Sequence, residues 1–318
     1  MAKSAAEIAQ AGYAHPEVLV DTQWVADHGG DPKVKIVEVD VDTAAYDTGH
    51  VKGAIGLDWR KDLQARPIRD LLPKQELEAL LSSKGISNED TVVAYGDNNN
   101  WFAAWYVWNL KYYGHPDVRL MNGGRKKWQD EGRELVTGAP AVKPASYKAG
   151  QPNKAIRALR DEVFAQLGKA GAVLVDVRSP KEFSGELLAP ENLPQEGAQR
   201  GGHIPGAANI PWAQAVREDG TFKPADELKA LYQGKGLTPD KAVIAYCRIG
   251  ERSSHTWFVL TYLLGYPNVR NYDGSWTEWG SLIAARSRDS REELPPVALP
   301  LRGGAGKGPG RVGQVTAA

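Results

Sequence analysis

The chain holds one cysteine, Cys247, set in the segment Cys247-Arg-Ile-Gly-Glu-Arg252. The thiolate is the nucleophilic form of cysteine, and both nearby cations and a helix N-terminus favour it. Cys247 directly follows the apolar run Ala242-Val-Ile-Ala-Tyr246, and a helical pattern begins at about Ser253. This strand–loop–helix order predicts a thiol facing loop N–H groups, flanked by Arg248 and Arg252, with its pKa lowered. A cysteine serving only as a small buried hydrophobe would need no such arginines. His255, eight residues on, could act as a base. An arginine-lined loop without an obvious base better suits a thiolate that attacks an anion, either a phosphate ester or a sulfur donor such as thiosulfate.

Loop length separates those two substrates. A cysteine phosphatase places five residues between its cysteine and arginine, so that the backbone curls around a tetrahedral phosphate. Here four residues, 248–251, separate Cys247 from Arg252, and Ser occupies position 253. The shorter cradle fits a single sulfur atom carried on the cysteine. The candidate site is therefore Cys247 as nucleophile, with Arg248, Ile249, Gly250, Glu251 and Arg252 binding substrate. Glu251 should oppose anion binding, so an arginine, Arg248 or another, is expected to neutralise it.

The elements that position this loop occur twice. Pro73–Trp128 aligns with Pro224–Trp279 at a constant offset of 151 over 56 residues, with 16 identities. His50-Val-Lys-Gly-Ala54 likewise echoes His203-Ile-Pro-Gly-Ala207. Two copies indicate a duplicated domain, whereas a solenoid needs at least three repeats. The units are placed at 16–140 and 156–288, with a Pro-rich linker at 141–155. Cys247 falls opposite Gly96, Arg248 opposite Asp97 and Arg252 opposite Trp101. The scaffold is duplicated, but the reactive group is present in one copy only.

Within the second unit, strands are predicted at 172–177, 242–246 and 268–272, and helices at 224–232, 253–264 and from Trp276. Short apolar runs alternating with helical patterns imply an α/β fold, a mostly parallel sheet with helices on both faces. The Gly-rich tail 302–318 lacks periodicity and is expected to be disordered.

Composition excludes several classes. Lys plus Arg and Asp plus Glu are each 39, so no general basic field exists to bind nucleic acid. No apolar run reaches the roughly 20 residues of a membrane span. Residues 1–11 contain no apolar stretch and carry Glu7, which predicts no secretory signal. One cysteine permits no intrachain disulfide and no multi-cysteine zinc site, in keeping with a cytoplasmic protein.

These features together resemble the two-domain rhodaneses: tandem units, paired His-x-x-Gly-Ala segments, a cysteine in the second copy only and the Asp273-Gly-Ser-Trp-Thr-Glu-Trp279 ending. Cys247-Arg-Ile-Gly-Glu-Arg-Ser-Ser-His-Thr-Trp257 is similar to the actinobacterial thiosulfate sulfurtransferases. The resemblance covers about residues 16–285. It implies two rhodanese-like domains, a ping-pong reaction through a Cys247 persulfide, a silent first domain and an active loop facing the domain interface. It implies no cofactor or metal. The implied partners are a small-molecule sulfur donor and a thiophilic acceptor, cyanide or a cellular thiol, with a monomer or weak oligomer as the working form.

The chain departs from the vertebrate thiosulfate enzymes at Ile249, where they carry a basic residue, and at Glu182, where they carry a substrate-binding arginine. Anion binding then falls to Arg248 and Arg252. Mercaptopyruvate sulfurtransferases have a Cys-Gly-Ser-Gly type of loop, which this chain lacks, so thiosulfate is the expected donor and mercaptopyruvate the alternative. A cysteine phosphatase or a non-enzymatic scaffold ranks below both. Arg178 is expected to pair with an acid such as Asp176 or Glu182. His50 and His203, present in both copies, are expected to be structural, and the aromatic residues from Trp101 to Tyr113 to form core.

Overall fold

The computed structural model describes residues 3–67, 69–190, 197–283 and 285. Each unit builds one five-stranded sheet. The first contains β1 (Leu19–Val20), β2 (Val34–Glu38), β3 (Ile55–Gly56), β4 (Thr91–Tyr95) and β5 (Val118–Met121), in the order β1-β5-β4-β2-β3. The second contains β6 (Arg157–Ala158), β7 (Ala172–Asp176), β8 (Ala208–Asn209), β9 (Ala242–Tyr246) and β10 (Val269–Tyr272), in the order β6-β10-β9-β7-β8. Every pairing between these strands is parallel, and the two orders correspond strand for strand. Parallel strands covered on both faces must be apolar throughout, as Val92–Tyr95 and Val243–Tyr246, all fully buried, show. The expected α/β fold with two parallel sheets is present.

The central strands β4 and β9 each feed a long central helix. Asp97–Tyr112 follows β4, with a left-handed turn at Asn98, Asn99 and Asn100 before its regular helix, and Glu251–Phe258 follows β9 and continues through a wider π-helical turn at Val259–Leu263. These two helices pack against each other across the interface between the units. Trp105 and Trp108 of the first helix are buried, as expected for core aromatics, and so are Tyr106 beside them and Trp257 and Phe258 of the second helix.

The units are also joined at their edges. The Asn122 side chain accepts the Phe222 N–H at 3.0 Å, and Lys127 pairs with Asp219 at 2.9 Å. Upstream of β1 the chain crosses the second unit, where Ala14 and His15 donate to the carbonyls of Leu263 and Tyr262. The stretch expected to be a linker is tied to the first unit. The N–H groups of Tyr147, Lys148 and Ala149 donate to the side chains of Ser82, Asn88 and Glu78. Among the described residues no helix is long and apolar enough to cross a membrane. The tail at 302–318 lies outside the described residues.

Candidate active site

Cys247 emerges from the C-terminal end of β9, where a doubly covered parallel sheet leaves its crevice. The structure shortens the predicted loop. The helix begins at Glu251 with Gly250 as its cap, two residues before the expected start, so only residues 248–250 separate it from Cys247. The physical reason is Gly250, whose φ of 93° is a left-handed conformation that a side chain would resist. A Cβ there would also lie 2.9 Å from the Asp273 Cα.

The last helix, Ser275–Trp279, pins the base of the loop. Ser275 Oγ accepts the Cys247 N–H at 3.1 Å, and the carbonyls of Cys247 and Arg248 accept from Trp276 and Thr277, both at 3.0 Å. The Gly250 carbonyl accepts from Ser254 Oγ and Asn271 Nδ2, each at 2.8 Å. The Ile249 carbonyl accepts from Arg69 of the first unit.

Among the described residues, three groups meet the sulfur. The Gly250 N–H donates to Cys247 Sγ at 3.2 Å, Ser253 Oγ lies 3.6 Å away, and the thiol donates to Glu251 Oε2 at 3.3 Å. The expected lowering of the thiol pKa is reversed. Burial is the main cause, the Glu251 carboxylate adds to it, and Arg252 with the Ser253 donors offsets only part. The resting group is a thiol bonded to a carboxylate rather than a free thiolate.

Arg252 is close to the sulfur but already engaged. Its terminal nitrogens grip both Glu182 oxygens at 2.9 Å, and its guanidinium lies over the Trp101 ring at 5.2 Å. Against the upward pull of burial, this pairing holds Glu182 at a pKa of about 2. The residue that neutralises Glu251 is also Arg252, with Nε 3.9 Å from Oε1. Arg248 is buried. The loop thus gathers Cys247, Gly250, Glu251 and Arg252 about one point, with Ile249 buried and its carbonyl held by Arg69.

Arg178 pairs with Asp176 at 2.6 Å and lies over Trp276, as expected of a structural ion pair. The two repeated histidines make the same contacts in both units. His50 Nδ1 bonds the Tyr46 carbonyl and stacks on that ring at 3.9 Å, and His203 does the same with Phe183 at 3.6 Å. His255 is no base for the thiol: among the described residues neither ring nitrogen has a hydrogen-bond partner, it lies among Trp212 and Phe222, and burial lowers its pKa to about 3. Sequence reasoning missed Arg69, and it missed the Glu182–Arg252 pair. Both contacts join residues far apart in the chain, and no local pattern marks them.

The family model for the rhodanese-like domain matches twice, at residues 21–131 and 159–282. The chain is 57% identical over 275 residues to the sulfur carrier protein TtuD of Thermus thermophilus, covering 86% of this chain and 96% of that protein. It is also 57% identical over 272 residues to a Mycolicibacterium smegmatis protein named "Putative thiosulfate sulfurtransferase", covering 86% and 98%. Among solved structures, EanB carrying a cysteine persulfide in a tetrahedral intermediate state with ergothioneine superposes with a TM-score of 0.71 at 26% identity, covering 84% of this chain and 69% of that one.

Proposed function

The chain belongs to the rhodanese family and is a sulfurtransferase, and we propose that it moves the outer sulfur of thiosulfate to a thiophilic acceptor through a persulfide on Cys247. The observation that carries this reading is the convergence of the Gly250 N–H and the Glu251 carboxylate on one sulfur, at 3.2 and 3.3 Å. One stabilises negative charge on the sulfur, and the other can take its proton.

In the first half-reaction Cys247 Sγ attacks the outer sulfur of thiosulfate, and its proton passes to Glu251 Oε2. The S–S bond of the donor breaks and its electron pair leaves with sulfite. Arg252 and Arg248 supply the positive charge for that departure. For Arg252 to touch the donor directly, the donor must compete with Glu182 for its terminal nitrogens. The terminal sulfur of the persulfide then takes the Gly250 N–H and the Ser253 donors. In the second half-reaction cyanide or a cellular thiol attacks that sulfur, Cys247 departs as thiolate, and Glu251 returns the proton. Splitting the transfer replaces one difficult step by two easier ones.

The first unit, residues 16–140, takes no part in the covalent chemistry, because Gly96 stands where Cys247 stands in the second. The persulfide of EanB and the sulfur-carrier name of the Thermus relative both support a cysteine-bound sulfur. The loop's arginines favour thiosulfate; 3-mercaptopyruvate is the alternative donor.

The test is intact mass spectrometry. Thiosulfate should add one sulfur atom to the chain, and cyanide should remove it as thiocyanate. Loading by mercaptopyruvate alone would change the donor; loading by neither would end the reading.

A further inference from the structure

The reactive loop is held by its own unit at Cys247, Arg248 and Gly250, through Ser275, Trp276, Thr277, Ser254 and Asn271. The Ile249 carbonyl is different. Its partner is Nη2 of Arg69, 180 residues earlier, in the unit that has no cysteine.

This contact bears directly on the sulfur. A trans peptide points its C=O and N–H in opposite directions. The Ile249 carbonyl, turned towards Arg69, therefore sends the N–H of the same peptide to the other side, where it meets Cys247 Sγ at 3.2 Å. Glycine at 250 leaves this peptide unusually free to turn over, since both signs of φ are open to it. A turned peptide would present a carbonyl oxygen to the sulfur instead of a donor. Some group must select one orientation, and Arg69 makes the contact that does so.

We infer that Arg69 is a positioning residue for sulfur transfer, supplied across the interface by the otherwise silent unit, which locks the 249–250 peptide with its N–H on the reacting sulfur. The arm is itself held in place. Arg69 Nη2 also donates to the Asp273 carbonyl at 3.2 Å and lies 3.7 Å from the Asp273 carboxylate. Arg157 bonds that carboxylate at 2.7 Å and reaches Asp70, the neighbour of Arg69, at 2.5 Å. This gives the first unit a chemical reason to stay attached to the second.

The inference rests on Cys247 as the reacting group, but its first test needs no sulfur donor. Alkylation of the single cysteine by iodoacetamide is followed against pH in the wild type, Arg69→Ala, Arg69→Lys and Lys127→Met. The last breaks the Lys127–Asp219 pair between the same units, whose other side-chain bonds among the described residues run to Glu131 and Thr221 and not to the loop. Arg69→Ala should move the alkylation midpoint up by about half to one pH unit, because the thiolate loses its N–H donor. Arg69→Lys, which keeps the charge and a donor, should fall between. Lys127→Met should not move it. About a quarter of the Arg69 side chain is exposed, so millimolar guanidinium should reach the gap and restore part of the Arg69→Ala shift. With thiosulfate, kcat/KM of Arg69→Ala should fall about tenfold, mainly in kcat. An unmoved midpoint in Arg69→Ala would overturn the inference, as would an equal shift in Lys127→Met, which would reduce Arg69 to interface stability. A moved midpoint in a protein that no donor loads with sulfur would uphold Arg69 and sink the sulfurtransfer scheme instead.

Discussion

Asn100 occupies in the first unit the position that Glu251 holds in the second, and its Oδ1 accepts the Gly96 N–H at 3.0 Å. Its Nδ2 donates to the Met121 carbonyl at 2.7 Å, so the carboxamide joins the two backbone groups whose counterparts in the second unit, the Cys247 N–H and the Tyr272 carbonyl, are joined by Ser275 Oγ. Asn98, Asn99 and Asn100 all have positive φ, between 42° and 62°, a left-handed turn that asparagine tolerates better than most residues. The first unit thus has Gly96 in place of the thiol and a loop built differently from that of the second.

Restoring the thiol there should therefore fail. A Cβ on Gly96 would lie 2.1 Å from the Val39 carbonyl oxygen, a backbone atom that cannot move aside cheaply. Gly96→Cys is expected to destabilise the chain by a few kcal/mol. After thiosulfate treatment its intact mass should still rise by one sulfur atom only. Two sulfurs per chain would show that the first loop is competent.

Cys247→Ser should abolish sulfur transfer and leave folding almost unchanged. A serine hydroxyl can keep both contacts of the thiol, accepting from Gly250 and donating to Glu251. The thermal midpoint is expected within about 3 °C of the wild type, a change of under roughly 1 kcal/mol for a chain of this size. Residual turnover above background would place the reaction on another group.

The Glu182–Arg252 pair sets a more discriminating test. If Arg252 meets the donor, Glu182 competes with it, and Glu182→Gln should lower the KM for thiosulfate. Arg252→Ala should lower kcat/KM by about 10- to 100-fold, the worth of a charged hydrogen bond of roughly 1.5–3 kcal/mol. It should also cost several kcal/mol of stability, since Glu182 would remain buried without its cation. An unchanged KM in Glu182→Gln would confine Arg252 to holding the fold and the local field.

The expected strands and the position of Cys247 at the end of β9 were legible because they rest on local patterns. Apolar runs of strand length, Gly and Pro stops, and a repeat with fixed offset fix them without distant partners. The thiol's acidity is not legible, for the opposite reason. Arg248 and Arg252 look like free cations in sequence, yet folding buries both and gives Arg252 to Glu182, 70 residues away. The helix start is not legible because nothing in the string Gly-Glu-Arg-Ser says that Gly250, rather than Arg252, is the cap. Arg69 lay in a loop with no periodicity, and its contact spans the two units.

His255 gives a prediction about acid stability. Its pKa is about 3 in the folded chain, against about 6.5 for an ordinary histidine. The unfolded chain takes up a proton below pH 6.5 that the folded chain refuses. The native state should therefore lose stability progressively from pH 6.5 down to 3, by at most about 5 kcal/mol in total. His255→Leu removes the imidazole from between Trp212 and Phe222 at similar volume. Its denaturation midpoint should be equal or higher at pH 7 and should fall less steeply towards pH 4. Parallel pH profiles for the two proteins would mean that the ring is hydrated and titrates normally.

Glu251 has two opposed effects, and their separation decides its role. Its charge raises the thiol pKa and repels an anionic donor, yet its Oε2 is the acceptor of the thiol proton at 3.3 Å. If repulsion were the whole of it, Glu251→Gln would be the faster enzyme at neutral pH. If the carboxylate takes the proton as sulfur attacks, the variant must lose the proton to water before reacting. Its persulfide formation at pH 7 should then be slower by about 10²-fold, within the usual range for general-base assistance. The deficit should shrink as pH rises, about tenfold per unit, because hydroxide and the free thiolate replace the missing base. Single-turnover loading by thiosulfate, read by sulfite release between pH 6 and 9.5, distinguishes the two. A variant faster than wild type at pH 7 would assign Glu251 to the electrostatics of the loop and leave the proton without a protein acceptor.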